Sequence, residues 1–295
     1  MPSRRHLLSF LPLAGCWKPG QTRIAVIPKA TAHLFFVSVH EGVDRAAKEF
    51  NLDVIWNGPS DETDHTRQIQ IVDSMIAQSV AGIAISATDE RALVAPLERA
   101  SIAGIPIVIF DSAVAVDNYI SFIATDNFGA GCLAARKLAQ LVAGKGDVAM
   151  IQQKPGGAST GLREQGFEET LAKEAPDVKI VARQFSMGDR AKARAVAENI
   201  LTAQPNLAGI FASSEASSIG TIQALRSRHL GGRCKLITFD DSDMHREALK
   251  EGTIDLMLVQ DPSRLGYEAV KALAEHFRGG KPMRRLDLPV REFTR

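Results

Sequence analysis

An α/β fold made of two copies of one βαβαβ-type unit follows from three features of the sequence. Short apolar runs such as Ile105-Pro-Ile-Val-Ile-Phe-Asp111 lack polar alternation and read as parallel strands buried on both faces. These runs alternate with segments of helical spacing, which implies right-handed crossovers and a parallel sheet. Landmarks also recur in order. Arg23–Ile27 matches Asp147–Ile151, and Glu41-Gly42-Val43 matches Gln165-Gly166-Phe167, both at an offset of 124. Ala81–Ser86 matches Ala208–Ser213 at 127, and Ile109-Phe110-Asp111 matches Thr238-Phe239-Asp240 at 129. Residues 105–137 are where the first copy hands over to the second.

The elements follow in sequence. Arg23–Ile27 is the first strand, and the loop 28–33 leads to a helix over Leu34–Phe50, with Phe36, Val39, Val43, Ala46 and Phe50 at helical spacing. Leu52–Trp56 is a strand, 63–79 a helix, Gly82–Ser86 a strand, 91–103 a helix and Ile105–Asp111 a strand. The apolar run 119–124 ends at Thr125-Asp126, residues suited to cap a helix starting near Asn127. The second copy gives strands at 147–152, 178–184, 207–212 and 234–239, with helices at 160–173, 189–203 and 216–229. A short helix at 243–250 and a strand at 254–260 come next. Asp261-Pro262 opens a helix to Phe277, Gly279-Gly280 ends it, and Leu286–Phe293 is a last extended piece.

The chain has 295 residues, enough for two domains, with 45% hydrophobic and 23% charged residues, as in soluble globular proteins. A net charge of +1 gives no electrostatic reason to expect nucleic acid or an anionic membrane surface as a partner. No apolar run approaches the roughly 18 residues a membrane-spanning helix needs. Residues 1–21 read as an export segment: Ser3-Arg4-Arg5-His6 is basic, Leu7–Gly15 is apolar, and Leu13-Ala14-Gly15-Cys16 looks like a bacterial lipobox. The expected location is therefore the periplasm or cell surface, with a lipid on Cys16 as the membrane attachment. Cys132 and Cys234 fall in apolar patterns and read as buried free thiols.

Open parallel sheets bind ligands beyond the C-terminal ends of their strands. Those ends carry polar groups in both copies: the 28–36 loop, Ser86–Asp89 and Asp111-Ser112 in the first; Gly156–Arg163, Ser213-Ser214-Glu215 and Asp240-Asp241 in the second. Facing edges would enclose a cleft with Asp111 and Asp240 on opposite walls. Carboxylates suit vicinal hydroxyls, and an Arg donates several hydrogen bonds. Strand-end Asp residues also serve as helix caps or Asx-turns, and their equivalent places in the repeat favour the ligand role. Phe35 and Phe36 could press on the apolar face of a ring, although adjacent helical positions diverge by about 100°, so one of them is expected to be core.

Taken together, Phe35-Phe36-Val37, Ile105–Asp111, Ala124-Thr-Asp-Asn127 with Gly129 and Gly131, Arg163-Glu-Gln-Gly-Phe167, Ile210–Glu215, Phe239-Asp240 and Val259-Gln260 resemble the ribose-type periplasmic sugar-binding proteins of ABC importers, collinearly over residues 22–290. The resemblance implies a type 1 periplasmic binding protein: two Rossmann-like lobes joined by a three-segment hinge around a sugar-sized cleft. The lobes would comprise 22–125 with 261–287, and 126–260 with 288–295. By that similarity Phe35 and Phe36 stack on the sugar, while Asp111, Arg163, Asp240 and Gln260 clamp it. The expected partners are a sugar, cyclitol or polyol and ABC permease subunits, with the chain itself monomeric. His33-Leu34 replaces an Asn before the aromatic pair, Ser112 replaces an Arg, Gly188 an aromatic residue and Ser214 an Asn. Smaller residues at 112, 188 and 214 should enlarge the cleft, which favours a hexose, cyclitol or longer polyol over D-ribose. Candidate ligand-binding residues are thus His33, Phe35, Phe36, Asp111, Ser112, Arg163, Ser214, Asp240 and Gln260.

Catalysis, metals and cofactors find little support. Gly157-Ala-Ser159-Thr-Gly161 fits a nucleophile pattern, but Lys154-Pro-Gly-Gly puts a loop where the elbow needs a single sharp turn. The seven His residues lack ligand spacing, Asp240–Asp243 lacks the Gly and Glu of a calcium loop, and no G-x-G-x-x-G indicates a dinucleotide. A lactose-repressor-type regulator would need a helix-turn-helix of some fifty residues before Arg23, where only twenty-two stand. A sensory protein presenting its ligand to a membrane receptor is the remaining alternative.

Overall fold

The computed structural model describes residues 21–295. The export segment and Cys16 therefore lie outside the described residues. The chain forms two six-stranded sheets of the same order. The first runs β2(Leu52–Trp56), β1(Thr22–Ile27), β3(Gly82–Ile85), β4(Ile107–Phe110), β5(Ser121–Thr125) and β11(Arg285–Leu288), parallel throughout. The second runs β7(Val178–Phe185), β6(Gly146–Gln152), β8(Gly209–Ala212), β9(Lys235–Phe239), β10(Leu256–Val259) and β12(Arg291–Phe293), parallel except for β12. The inner strands β3, β4, β8 and β10 are buried along their whole length, as their unbroken apolar sequences require.

Helices cover both faces of each sheet. α1(Leu34–Phe50) and α9(Pro262–Phe277) pack on one face of the first sheet, with α2(His65–Ala77) and α3(Val94–Ile102) on the other. In the second sheet α4(Asn127–Leu141) and α5(Ala158–Glu174) take one face. The other face carries α6(Arg190–Ala203), α7(Glu215–Ser227) and α8(Asp243–Glu251). The chain passes between the sheets three times, from β5 into α4, from β10 into α9 and from β11 into β12.

The repeat extends to the crossings. Thr125-Asp126 stands at the end of β5 and Gln260-Asp261 just after β10, and each Asp caps the following helix, accepting from Gly129 N and Arg264 N. The run 286–293, expected to be one extended piece, divides between the two sheets. Pro289 separates the halves, and a residue without an N–H cannot continue a ladder. Cys234 is buried and Cys132 half-buried, both as free thiols.

Candidate sugar-binding site

Asp111 and Asp240 follow the central strands β4 and β9 in a left-handed conformation, with φ of 58° and 69°. Asp tolerates this region better than most residues because its short side chain bonds locally. Each backbone N–H reaches the next strand, Asp111 to Ile123 O and Asp240 to Leu258 O, so the two carboxylates are held by the same device in each copy. Lys29 Nζ lies 3.0 Å from Asp111 Oδ2, to which Ser86 Oγ also donates. Gln260 Nε2 donates to Asp240 Oδ1 at 2.7 Å, and Gln260 Oε1 accepts from Thr125 Oγ1. Asp240 is thereby tied to the crossing at β5.

Arg163, on the second turn of α5, is only 2% exposed. Its guanidinium lies 3.4 Å from the Phe239 ring centroid and donates to Asn127 Oδ1 and to the Ser213 carbonyl. Phe35 and Phe36 meet edge to face at 5.1 Å. Phe36 is buried in the core and Phe35 half-buried, so one of the pair is core as the helical geometry requires. Both line the cavity between the sheets.

Of the sequence candidates, His33, Phe35, Phe36, Asp111, Arg163, Ser214, Asp240 and Gln260 converge on this cavity. Ser112 does not: it is buried beside Asp111 and lies outside the lining. The expected enlargement is not realised either. The Gln153 amide and His33 occupy the space next to Gly188, 3.1 and 3.8 Å from where its Cβ would stand. Ser214 Oγ donates to Gln153 Oε1, which closes the gap left by its short side chain.

Lys29, Glu62, Gln153, Ser159, Thr160 and Glu215 also line the cavity without having been ligand candidates; Glu62 and Gln153 lie outside the polar strand-end segments read from the sequence, the other four within them. Glu62 sits in the loop after β2, 7% exposed, beside His33 Nδ1 at 3.3 Å and accepting from Gln153 Nε2 at 3.1 Å. Burial would raise its carboxyl, but the charge of Lys29 and the bond to His33 outweigh this and hold it well below the usual range. Burial would lower Lys29, yet Asp111 and Glu62 keep it raised, and His33 is raised by Glu62 against the same opposition. Asp240 goes the other way. Burial, with Glu215 and Asp111 nearby, pushes it up to about 6 despite Arg163 and Gln260. Nothing in the strand pattern marked Glu62, because its loop carries no repeat landmark.

A sequence profile described as a periplasmic binding protein domain matches residues 24–281. The chain belongs to the periplasmic binding protein family. It is 30% identical over 266 residues to the D-allose-binding periplasmic protein of Escherichia coli (strain K12), covering 87% of this chain and 85% of that one. It is 26% identical to the ribose import binding protein of Bacillus subtilis (strain 168), covering 87% and 82%. Among solved structures, a carbohydrate transporter solute binding protein from Agrobacterium radiobacter in complex with D-arabinose superposes with a TM-score of 0.91. That chain is 31% identical, with 94% of this chain and 96% of that one covered. An Agrobacterium vitis ABC transporter solute binding protein bound with α-D-tagatopyranose gives 0.89 at 31% identity, covering 93% and 95%. The fold is that of the type 1 periplasmic binding proteins.

Proposed function

We propose that this periplasmic binding protein captures a small polyhydroxylated molecule between its two sheets and delivers it to the permease subunits of an ABC importer. The observation that carries the reading is the convergence of Asp111, Asp240, Arg163 and Gln260 with the Phe35–Phe36 pair on one enclosed cavity. Such a site is costly to occupy with an apolar molecule, because its buried polar groups would lose their partners. The relatives bind sugars of five and six carbons, and with Gln153 and His33 filling the space beside Gly188 no cavity feature favours a hexose over a pentose. The lobes are taken as 22–125 with 261–287, and 126–260 with 288–295, closing as a monomer on their ligand. Thr125 and Gln260 at two crossings support this, since their mutual bond links the hinge to Asp240.

A binding role without catalysis fits the same groups. Ser159 accepts from Lys29 Nζ at 3.3 Å, which resembles a serine–lysine pair. Asp111 and Glu62 keep Lys29 protonated, however, so it cannot take the hydroxyl proton. Five residues separate β6 from α5, where a nucleophile elbow needs one sharp turn. Lipid attachment at Cys16 is part of the proposal and is checked by mass spectrometry of the mature N-terminus. A diacylglyceryl-modified Cys16 is expected, and an intact Met1–Gly15 in cells would exclude it.

A thermal-shift panel of pentoses, hexoses, inositols and sugar alcohols tests the reading. The true ligand at a hundredfold excess over Kd should add about 2.7 kcal/mol of stability. A flat response across the panel would overturn the assignment to polyhydroxylated ligands.

A further inference from the structure

A second compartment, of about 260 Å³, adjoins the sugar cavity between α1, the crossing after β10 and the start of α8. Phe35, Glu215, Asp240 and Gln260 line both spaces and form the boundary between them. Glu215 is the first residue of α7 and is 4% exposed. Arg190 Nη2 holds its Oε1 at 2.5 Å, while its Oε2 is buried and has no hydrogen-bond partner among the described residues. A buried carboxylate oxygen left unpaired is costly, and most such oxygens in folded proteins are satisfied. Its neighbour Asp240 also faces the boundary, and the two carboxylates repel. A donor placed between them would relieve both defects.

The rest of the compartment is acidic on balance. Glu41, Asp241 and Asp261 line it against Arg246 and Arg291, with Asp241 and Arg246 holding each other at 2.7 Å and Asp261 accepting from Arg264 N. Phe35 offers an apolar face at the boundary. An anionic substituent would meet like charge there, whereas hydroxyls would find acceptors.

We infer that Glu215 is a ligand-binding carboxylate and that the site continues past it. The chain takes a glycoside, with its sugar ring in the cavity and a hydroxylated aglycone in the adjoining compartment, one hydroxyl donating to Glu215 Oε2. This rests on the sugar-binding reading above.

Calorimetry on the intact protein tests it with D-ribose, D-arabinose, D-allose, D-glucose and D-galactose, each compared with its methyl and glyceryl glycosides. For the sugar that binds, the glyceryl glycoside should bind at least as tightly as the free sugar and more tightly than the methyl glycoside. Glu215→Gln should lower the ratio of glyceryl-glycoside to free-sugar affinity about tenfold, the scale of one hydrogen bond to a charged group. Ser38→Trp, which fills the compartment from α1, should lower the same ratio and keeps the test open if Glu215→Gln fails to fold. A free sugar that binds while both its glycosides are rejected would overturn the inference and leave the sugar reading standing. An unchanged ratio in both variants would also overturn it. Failure of every sugar and glycoside to bind would overturn both.

Discussion

Arg163 is positioned before any ligand arrives by three contacts, with the Phe239 ring, Asn127 and the Ser213 carbonyl, while its Nε has no hydrogen-bond partner among the described residues. Its entropy cost of ordering is therefore met on folding, and the guanidinium can act as a fixed donor. Asp111 and Asp240 are fixed in the same sense by their backbone bonds. Asp111→Ala, Arg163→Ala and Asp240→Ala should each weaken sugar binding at least tenfold, since stranding a buried charged group costs roughly 2–5 kcal/mol. Calorimetric titration reads this, and unchanged affinity in any two of them would mean that the cavity is misassigned. Asp240 also sets a pH dependence. Its folded value of about 6 stands above the ordinary carboxylate value, so the folded chain holds the proton more tightly and loses stability as pH rises from about 4 through 6. A sugar hydroxyl donating to Asp240 favours the ionised form, so affinity should rise between pH 5 and pH 7, by at most about tenfold per unit. Titrations at pH 5, 6 and 7 check it; equal or tighter binding at pH 5 would contradict it. Asp111 and Asp240 were legible because they fall at strand ends that the repeat marks twice, and Arg163 through the family resemblance. Glu62 and Gln153 were not, since their importance comes from meeting each other across the cavity.

At the scale of elements, the repeat explains why the helices cross where they do. Gly42 in α1 meets α9, and a Cβ there would lie 1.8 Å from Ser263 O; its counterpart Gly166 in α5 meets α4, where a Cβ would lie 2.3 Å from Phe128 O. Gly266 in α9 and Gly131 in α4 complete the two crossings from the other side. Both pairs let helix backbones touch, and the second carries Arg163 one turn before Gly166. Gly166→Ala should therefore cost about 1–3 kcal/mol of stability through overpacking, and weaken sugar binding by displacing Arg163. Gly161→Ala on the same helix has nothing within 4 Å of the new methyl and should be neutral or stabilising by up to about 1 kcal/mol. Thermal unfolding of the two variants compares them; equal losses would remove the crossing as the cause. The helices and inner strands were readable from periodicity and from the Gly42–Gly166 match. The division of 286–293 between two sheets was not readable from periodicity; the resemblance put a crossing at 287/288, one residue short of Leu288, which still pairs with Thr125 in the first sheet.

At the scale of the whole molecule, the two sheets meet through bonds lined along the cavity. Lys154 Nζ donates to Thr88 O at 2.6 Å, Gln153 Nε2 to Glu62, and Lys29 Nζ to Ser159. These join groups that follow β2, β3 and β1 in the first sheet to groups that follow β6 in the second. That the chain holds two like units was legible from the repeat offsets; that their edges face each other was an expectation from where open parallel sheets bind ligands. The closeness of the approach was not, since it depends on long side chains whose partners lie up to 130 positions away in the chain. The central claim is that a sugar lies between the sheets, held from both sides. A crystal structure with the sugar giving the largest thermal shift tests this most directly. The account predicts density for one ring in the cavity, against Phe35 and within hydrogen-bond reach of Asp111, Arg163 and Asp240; a sugar bound elsewhere on the protein, with the cavity unoccupied, would contradict it.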